Sequence, residues 1–306
     1  MAFQHVVVYG AGAIGSYLGA CLSSVIPVTL IARREHVETI DGRGLFVGGA
    51  ADIFVPAEKI NAVTGLAALP RGSLVVVAVK LTGAVDAGKT LAGMAGPDSV
   101  FLLVQNGMVA SELFLQGAGC ELEVARAVAS CGVDFREAGK VEYWGGGISF
   151  EKGKRCAELV ELFGRAGVES SECDDFEKAL WVKLAANCMI NPITALLGVR
   201  NSGAMVAELA ETRRQIVAEV SALAAAEGCE LDSNLAEQIE KGLASGGNRS
   251  SMLQDVTAGR QTEVDYLNGF VADRSDALGL RAPVNAAMAA MIRARSAAES
   301  RGGLSC

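Results

Sequence analysis

The stretch His5-Val-Val-Val-Tyr-Gly-Ala-Gly-Ala-Ile-Gly-Ser-Tyr-Leu-Gly19 decides the reading of the fold. A β-prone run passes directly into Gly10-Ala11-Gly12-Ala13-Ile14-Gly15, and the residues beyond it open a helix. In this G-x-G-x-x-G arrangement each glycine has a separate task. Gly10 permits the tight turn, Gly12 lets the backbone approach a pyrophosphate, and Gly15 lets the helix pack closely on the strand. The helix N-terminus adds N–H donors and the positive end of its dipole. Glycine is common in the chain (36 residues), so the motif alone is weak. Its place between a strand and a helix, with a second strand at Val28–Ala32, favours a dinucleotide site over a structural glycine turn.

That second strand ends in Ala32-Arg33-Arg34. A protein built for NAD is expected to carry Asp or Glu near this point, to bond the ribose 2′-hydroxyl. Two guanidinium groups suit a 2′-phosphate instead, which makes NADPH the expected cofactor. The competing reading is a solvated strand end with Glu35 as ion-pair partner. His36 is expected at the surface.

Two further apolar runs, Ser73–Val79 and Ser99–Val104, read with Phe3–Tyr9 as parallel strands buried on both faces. They run into Lys80 and into Gln105-Asn106-Gly107, and ligands of open α/β sheets lie beyond such carboxyl ends. Lys80 can be a cofactor contact or merely a strand terminus. From about Val124 to Phe150, Gly132, Gly139 and Gly145 to Gly147 punctuate β-prone segments, expected as additional strands, some antiparallel. After Asp175 the strand signal fades. Helices are predicted over Phe176–Leu197, Ala204–Ala226, Leu235–Leu243, Met252–Ala258, Thr262–Leu278 and Val284–Glu299, with one loose Gly- and Ser-rich stretch at Ala244–Ser251. The expected architecture is α/β: a Rossmann-type dinucleotide-binding domain over 1–175, followed by an all-α domain over 176–306.

Composition agrees with two cored domains. The chain has 306 residues, 51% hydrophobic and 20% charged, and a net charge of -8. No basic excess exists to neutralise phosphates, which argues against a nucleic-acid partner. Eight cysteines, at 21, 120, 131, 156, 173, 188, 229 and 306, contain no C-x-x-C pair, and there are only two histidines. Neither a zinc site nor a disulfide framework is written there, and scattered thiols fit a reducing cytoplasm. Val6–Ala32 lacks charge over a bilayer-spanning length, but no Lys or Arg precedes it, and four glycines and Pro27 interrupt it. Leu180–Val199 is similarly apolar. Both read as buried elements rather than membrane spans.

Within Leu180–Val199, Lys183, Asn187 and Asn191 recur at helical spacing and share one side with Phe176 and Leu180. A helix apolar nearly all round is a buried one. Burying an ammonium is costly and lowers its pKa, which is also what a general acid near neutral pH requires. The plainer reading is a lysine snorkelling to the surface. Pro192 can end or kink the helix and leave Asn191 as a cap. On a wheel drawn through the predicted helix Thr262–Leu278, Glu263 falls in the apolar arc of Leu267, Phe270, Val271 and Leu278. It is then either an ion-pair partner, with Arg274 in reach, or a ligand for a polar group.

These segments carry a family resemblance over nearly the whole chain. Gly10–Gly15, Val79-Lys80, Gln105-Asn-Gly-Met108, Trp181-Val-Lys-Leu-Ala-Ala-Asn-Cys-Met-Ile-Asn-Pro192, Ser250-Ser-Met-Leu-Gln-Asp255 and Thr262-Glu-Val-Asp-Tyr-Leu-Asn-Gly269 resemble the 2-dehydropantoate 2-reductases, or ketopantoate reductases. These are relatives of the 6-phosphogluconate dehydrogenase-like enzymes, whose C-terminal domain is all-helical. The resemblance implies NADPH-dependent reduction of 2-dehydropantoate to (R)-pantoate, for pantothenate and coenzyme A synthesis. It makes Lys183 the general acid and Glu263 a partner of the substrate hydroxyl or the cofactor ribose. It sets Asn106, Asn187, Asn191, Asn201 and Ser251 on the substrate, with Ser251 near its carboxylate, and Lys80 by the nicotinamide. The segment Trp144–Glu151 follows the family pattern only loosely. Two other functions fit the same cofactor motif: a paralogue acting on another small 2-oxo acid, and a protein that senses NADPH without turnover. A homodimer is compatible with the resemblance, and the sequence does not set the oligomeric state.

Overall fold

The computed structural model describes residues 3–244 and 246–300. Two compact units divide the chain, one ending at Phe176 and the next beginning at Glu177. In the first, the order is β1 (His5–Tyr9), α1 (Ala13–Leu22), β2 (Val28–Ile31), α2 (Arg34–Arg43), β3 (Leu45–Gly49), β4 (Ile53–Val55), β5 (Asn61–Val63), β6 (Ser73–Val77), α3 (Ala84–Ala92), β7 (Val100–Leu103), α4 (Ala110–Ala118), β8 (Glu123–Ala129), β9 (Gly132–Glu137), β10 (Lys140–Gly145), β11 (Ile148–Glu151), α5 (Cys156–Arg165) and β12 (Ser170–Cys173).

Eight strands form one sheet in the order β12-β11-β8-β7-β6-β1-β2-β5. From β5 to β8 all neighbours are parallel, and β1 lies at the centre, paired with β2 and β6. Val6, Val7 and Val8, like Leu74 to Val77, are completely buried, as strands covered on both faces must be. The predicted extra strands are present, with β11 antiparallel to β8 and β9 antiparallel to β10. The sequence reading misses β3, β4, β5 and β12, which are only three to five residues long. β3 and β4 join β10 and β9 in a second sheet, ordered β4-β3-β10-β9.

Two contacts hold this second sheet on α1. The Tyr17 and Tyr143 rings stack 4.3 Å apart and 7° from parallel. His36 is buried, contrary to the surface position expected from its charged neighbours, because His36, Val37 and Ile40 form the inward face of α2. The Gly139 N–H donates to His36 Nδ1 at 2.9 Å, so the proton sits on Nε2 and points to Ser16 Oγ, 3.0 Å away. The Ser16 hydroxyl in turn donates to the Ala11 carbonyl at 3.3 Å. One chain of bonds thus runs from the β9–β10 turn to the glycine loop.

The second unit is helical: α6 (Phe176–Leu197, which begins on the boundary residue), α7 (Ala210–Ala226), α8 (Leu235–Leu243), α9 (Ser251–Thr257), α10 (Asn268–Ala277) and α11 (Pro283–Ser300). α6 is long and apolar enough to cross a membrane, but 67% of that window is buried inside the protein. It does not end at Pro192. Proline has no N–H to give the carbonyl four residues back, that of Cys188. Asn268 Nδ2 donates to it instead, at 2.9 Å, and also to Asn285 Oδ1 at 2.9 Å. Asn285 Nδ2 continues to the Ile216 carbonyl and to Glu219, whose carboxylate accepts the Val284 and Asn285 N–H groups that open α11. At the other end, the Arg295 guanidinium donates to the carbonyls of Ala195 and Leu196, in the last turn of α6.

Two predicted helices are shorter than expected. Arg213 Nη1 donates to the carbonyls of Ala204 and Val206, which holds residues 201–209 in 3-10 turns, and α7 starts only at Ala210. Thr262–Leu278 is not one helix. A 3-10 turn over Val264–Tyr266 is followed by a break at Leu267 (φ -114, ψ -102), and only then by α10. The wheel that placed Glu263 among Leu267, Phe270 and Leu278 therefore does not apply, and Leu278 is exposed. In the loose stretch Ala244–Ser251, Ser245 lies outside the described residues, and Cys306 does too. The other seven cysteines are free thiols.

Two outcomes follow from the buried polar chains. Burial pushes the His36 imidazole down to about 4, from 6.5. The unfolded chain therefore takes up the proton first, so the His36 contribution is complete above pH 6.5 and lost as pH falls toward 4. Urea unfolding across that window should show a loss of about 3 kcal/mol that His36→Gln lacks; equal slopes for both proteins would refute it. Asn268→Leu strands the Cys188 carbonyl and should cost about 3 kcal/mol. In a Pro192→Ala background, where the helix supplies its own N–H, the cost should be at least about 1 kcal/mol smaller, and an additive double mutant would remove Pro192 as the cause.

Candidate active site

In the α/β unit the site is built at the carboxyl edge of the sheet. Gly10 follows β1 with φ +97, a conformation that side chains resist, and a Cβ there would lie 2.6 Å from Val79 Cγ1 and 2.7 Å from Val79 N. A Cβ on Gly15 would meet the Gly10 carbonyl at 2.5 Å and Val8 Cγ1 at 3.0 Å. The protein's own packing accounts for both glycines. Gly12 is different: a Cβ there would meet nothing within 4 Å. Its open flank lies at the N-cap of α1, a ten-residue helix with no side-chain cap and no acidic residue in its first turn. The first N–H groups of a helix have no intrahelical acceptor, so this end, with Ala11, Ala13 and Ile14 around it, is shaped for an anion.

The neighbouring strands bring the remaining candidates to the same edge. Across β2-β1-β6-β7, the carboxyl ends carry in order Arg33, the glycine turn, Lys80 and Gln105-Asn106. Arg33 and Arg34 are exposed, and neither has an ion-pair partner among the described residues; Glu35 does not pair with them. Lys80 and Asn106 are half-buried. The sequence reading set Gln105 at this ligand-facing edge but gave its side chain no role of its own. Both its Oε1 and its Nε2 are sealed from solvent without a hydrogen-bond partner. An unsatisfied buried group of this kind costs about 1–3 kcal/mol, so such amides mark places where a ligand completes the structure.

In the helical unit, α6 is unbroken, so Lys183, Asn187 and Asn191 lie on one face, four residues apart. Lys183 is half-buried, and Asn187 and Asn191 are buried. The Nδ2 groups of both asparagines have no acceptor, which leaves two donors beside the lysine on that face. Asn201 is buried as well. Its Nδ2 donates to Asn248 Oδ1 at 3.1 Å, and its backbone N–H to the Asn248 carbonyl at 3.1 Å, which leaves Asn201 Oδ1 as an unmatched acceptor.

Two side-chain bonds tie the other candidates to α6. Thr194 Oγ1 donates to Ser250 Oγ at 2.6 Å, and Ser250 caps α9 by accepting the Leu253 N–H at 3.0 Å. Ser251, exposed, is the first residue of that helix. Glu263 is buried, immediately before the 3-10 turn that leads to Asn268 and its bond to α6. Arg274, the ion-pair partner entertained for Glu263, instead pairs with Glu227 at 2.5 Å. Thr194, Asn248 and Ser250 act as supports, a role the sequence reading did not give them. Among the described residues, no group of three or more His, Cys, Asp or Glu is placed to hold a metal ion.

The family profile described as ketopantoate reductase PanE/ApbA matches residues 6–151, and its C-terminal counterpart matches residues 175–296. A protein from Pyrococcus horikoshii named 2-dehydropantoate 2-reductase is 30% identical over 98% of this chain and 99% of its own. One of the same name from Pyrobaculum aerophilum is 32% identical over 94% and 96%. The crystal structure of a PanE/ApbA family ketopantoate reductase from Ralstonia eutropha superposes with a TM-score of 0.85 at 29% identity, over 97% of this chain and 99% of that one. D-mandelate dehydrogenase, solved with NADH and anilino(oxo)acetate, shares the fold at 21% identity with a TM-score of 0.86, over 97% and 99%. The chain is an oxidoreductase, and it belongs to the ketopantoate reductase PanE/ApbA family.

Proposed function

We propose that this protein reduces 2-dehydropantoate to (R)-pantoate with NADPH, in pantothenate and coenzyme A synthesis. The observation that carries the reading is the α6 face, where Lys183 stands in line with two buried, unmatched amide donors. The cofactor half fits the same reading. The open flank of Gly12 and the uncapped start of α1 suit a pyrophosphate, and the exposed Arg33 guanidinium suits a 2′-phosphate. NADPH, when bound, supplies the hydride that ends on C2 of the oxo acid.

The chain's own groups serve the other end of that carbonyl. Negative charge builds on the oxygen as C2 is reduced, and the Lys183 ammonium both counters it and donates the proton that completes the hydroxyl. Lys183 then recovers a proton from solvent. Asn187 and Asn191 turn their Nδ2 donors to the substrate's acceptor oxygens, and the Asn201 Oδ1 acceptor matches a hydroxyl donor. Ser251 and Asn106 complete the set, Ser251 beside the carboxylate. Glu263 accepts from the substrate hydroxyl or the cofactor ribose, and Lys80 lies by the nicotinamide. The free thiols suit a reducing cytoplasm. A sensor of NADPH would need none of the α6 donors. A paralogue acting on another 2-oxo acid would use all of them, and the fold itself does not choose between substrates.

The deciding measurement is NADPH oxidation against a panel of 2-oxo acids. 2-Dehydropantoate should be turned over best, and inactivity with it beside rapid turnover of another oxo acid would overturn the assignment. In the same assay, Lys183→Ala should lower kcat by about 100-fold or more with NADPH binding nearly intact; an unchanged kcat removes Lys183 as the acid. Arg33→Ala should weaken NADPH by about tenfold and leave NADH within about twofold, and equal losses for the two cofactors would show that the arginine does not read the phosphate.

A further inference from the structure

We propose that Gln105 reads the carboxamide of the nicotinamide, through a paired donor and acceptor bond. The inference deepens the cofactor reading above and rests on it. Three observations lead there. Gln105 lies two residues past β7, next to Val104, whose N–H is still paired to the Val77 carbonyl at 3.3 Å and so anchors the chain just before it. Both polar atoms of its side chain are sealed from solvent and have no partner among the described residues. And β7 lies three strands from β2, whose end carries Arg33.

The first two observations define the chemistry of the missing partner. It must offer one acceptor to Nε2 and one donor to Oε1, side by side. A phosphate or a carboxylate offers acceptors only, and would set an anion against Oε1. Besides the ribose diols, whose hydroxyls rotate freely, a dinucleotide has two planar groups that hold donor and acceptor in one plane as Gln105 does, the adenine edge and the nicotinamide carboxamide. The third observation separates them. Strands lie about 4.8 Å apart, which sets the ends of β2 and β7 about 14 Å apart along the sheet edge. Arg33 at β2 claims the adenosine side, and the glycine turn at β1 claims the pyrophosphate between. The β7 end then belongs to the nicotinamide, whose primary amide is the mirror of Gln105's own. The buried, unmatched amide is thus a cost carried by the protein without cofactor and relieved when the cofactor binds.

The test compares wild type with Gln105→Met, which keeps the length of the side chain and removes both polar atoms. Two dinucleotides are titrated by calorimetry without substrate: NADP and its 3-acetylpyridine analogue, in which a methyl group replaces the amide nitrogen. Wild type should favour NADP by about fivefold or more. Gln105→Met should bind NADP about tenfold more weakly and discriminate between the two by less than about twofold. Free of cofactor, it should melt no lower than wild type, because the atoms removed have no partner to lose; a glutamine with a purely structural role would give a lower melting temperature. NADP affinity within twofold of wild type, undiminished discrimination, or a defect confined to KM for the oxo acid overturns the inference while leaving the NADPH reading intact. A wild-type protein that binds neither NADP nor NAD overturns both.

Discussion

A carbonyl in the middle of a buried helix must find a donor, and in α6 the residue that should supply one is Pro192. Everything distinctive about the helical unit is arranged around the substitute. Asn268 reaches the Cys188 carbonyl, Asn285 holds Asn268, and Glu219 holds Asn285 while closing the start of α11. Four helices are thereby fixed to one another by directional bonds, where apolar packing alone would tolerate a sliding register. The α6 face with Lys183, Asn187 and Asn191 gains its definition from this bracing, since a site group must be held to within a fraction of an ångström.

The same accounting separates structural amides from those awaiting a ligand. Asn268 and Asn285 spend their N–H donors inside the protein. Asn187, Asn191, Asn201 and Gln105 retain donors or acceptors that the protein leaves unmatched, and Asn268 retains its Oδ1 acceptor beside its spent donors. A folded protein buries few such groups, and those of Asn187, Asn191, Asn201 and Gln105 occur in segments contributing to the proposed chemistry. In the α/β unit the distinction applies to the glycines: Gly10 and Gly15 are demanded by neighbouring backbone, whereas the open flank of Gly12 has no internal reason.

How much of this was legible in the sequence depended on the range of the interaction. The central strands and α6 were readable because continuous apolar runs and helical periodicity are local properties. β3 and β4 escaped because short segments containing Gly48, Gly49 and an exposed Phe54 carry little alternation, and they pair with β10 and with each other only in space. His36 was misplaced by weighing its charged neighbours Arg33, Arg34 and Glu35 above its position with Val37 and Ile40 on one helical face. The wheel through Glu263 failed because it assumed an unbroken helix, whereas the backbone breaks at Leu267, beside the Asn268 bond to α6 that no local pattern records. The glycine turn and the spacing of Lys183, Asn187 and Asn191 were visible from residue order; the unmatched state of the amides was not, because it is a property of what surrounds them.

The stitching of α6 also sets an order of assembly. Its interior carbonyl is closed by a side chain 80 residues further along, and its last turn by an arginine about 100 residues further along. During synthesis α6 emerges with these positions open, and it stays incomplete until Asn268 and Arg295 have left the ribosome. The strand–turn–helix–strand unit of the glycine loop, by contrast, pairs β1 with β2 within its first few dozen residues, before β6 and Gly139 add their contacts. The nucleotide-binding half can begin to take shape as it is made, while the half that carries the proposed acid waits for α10 and α11.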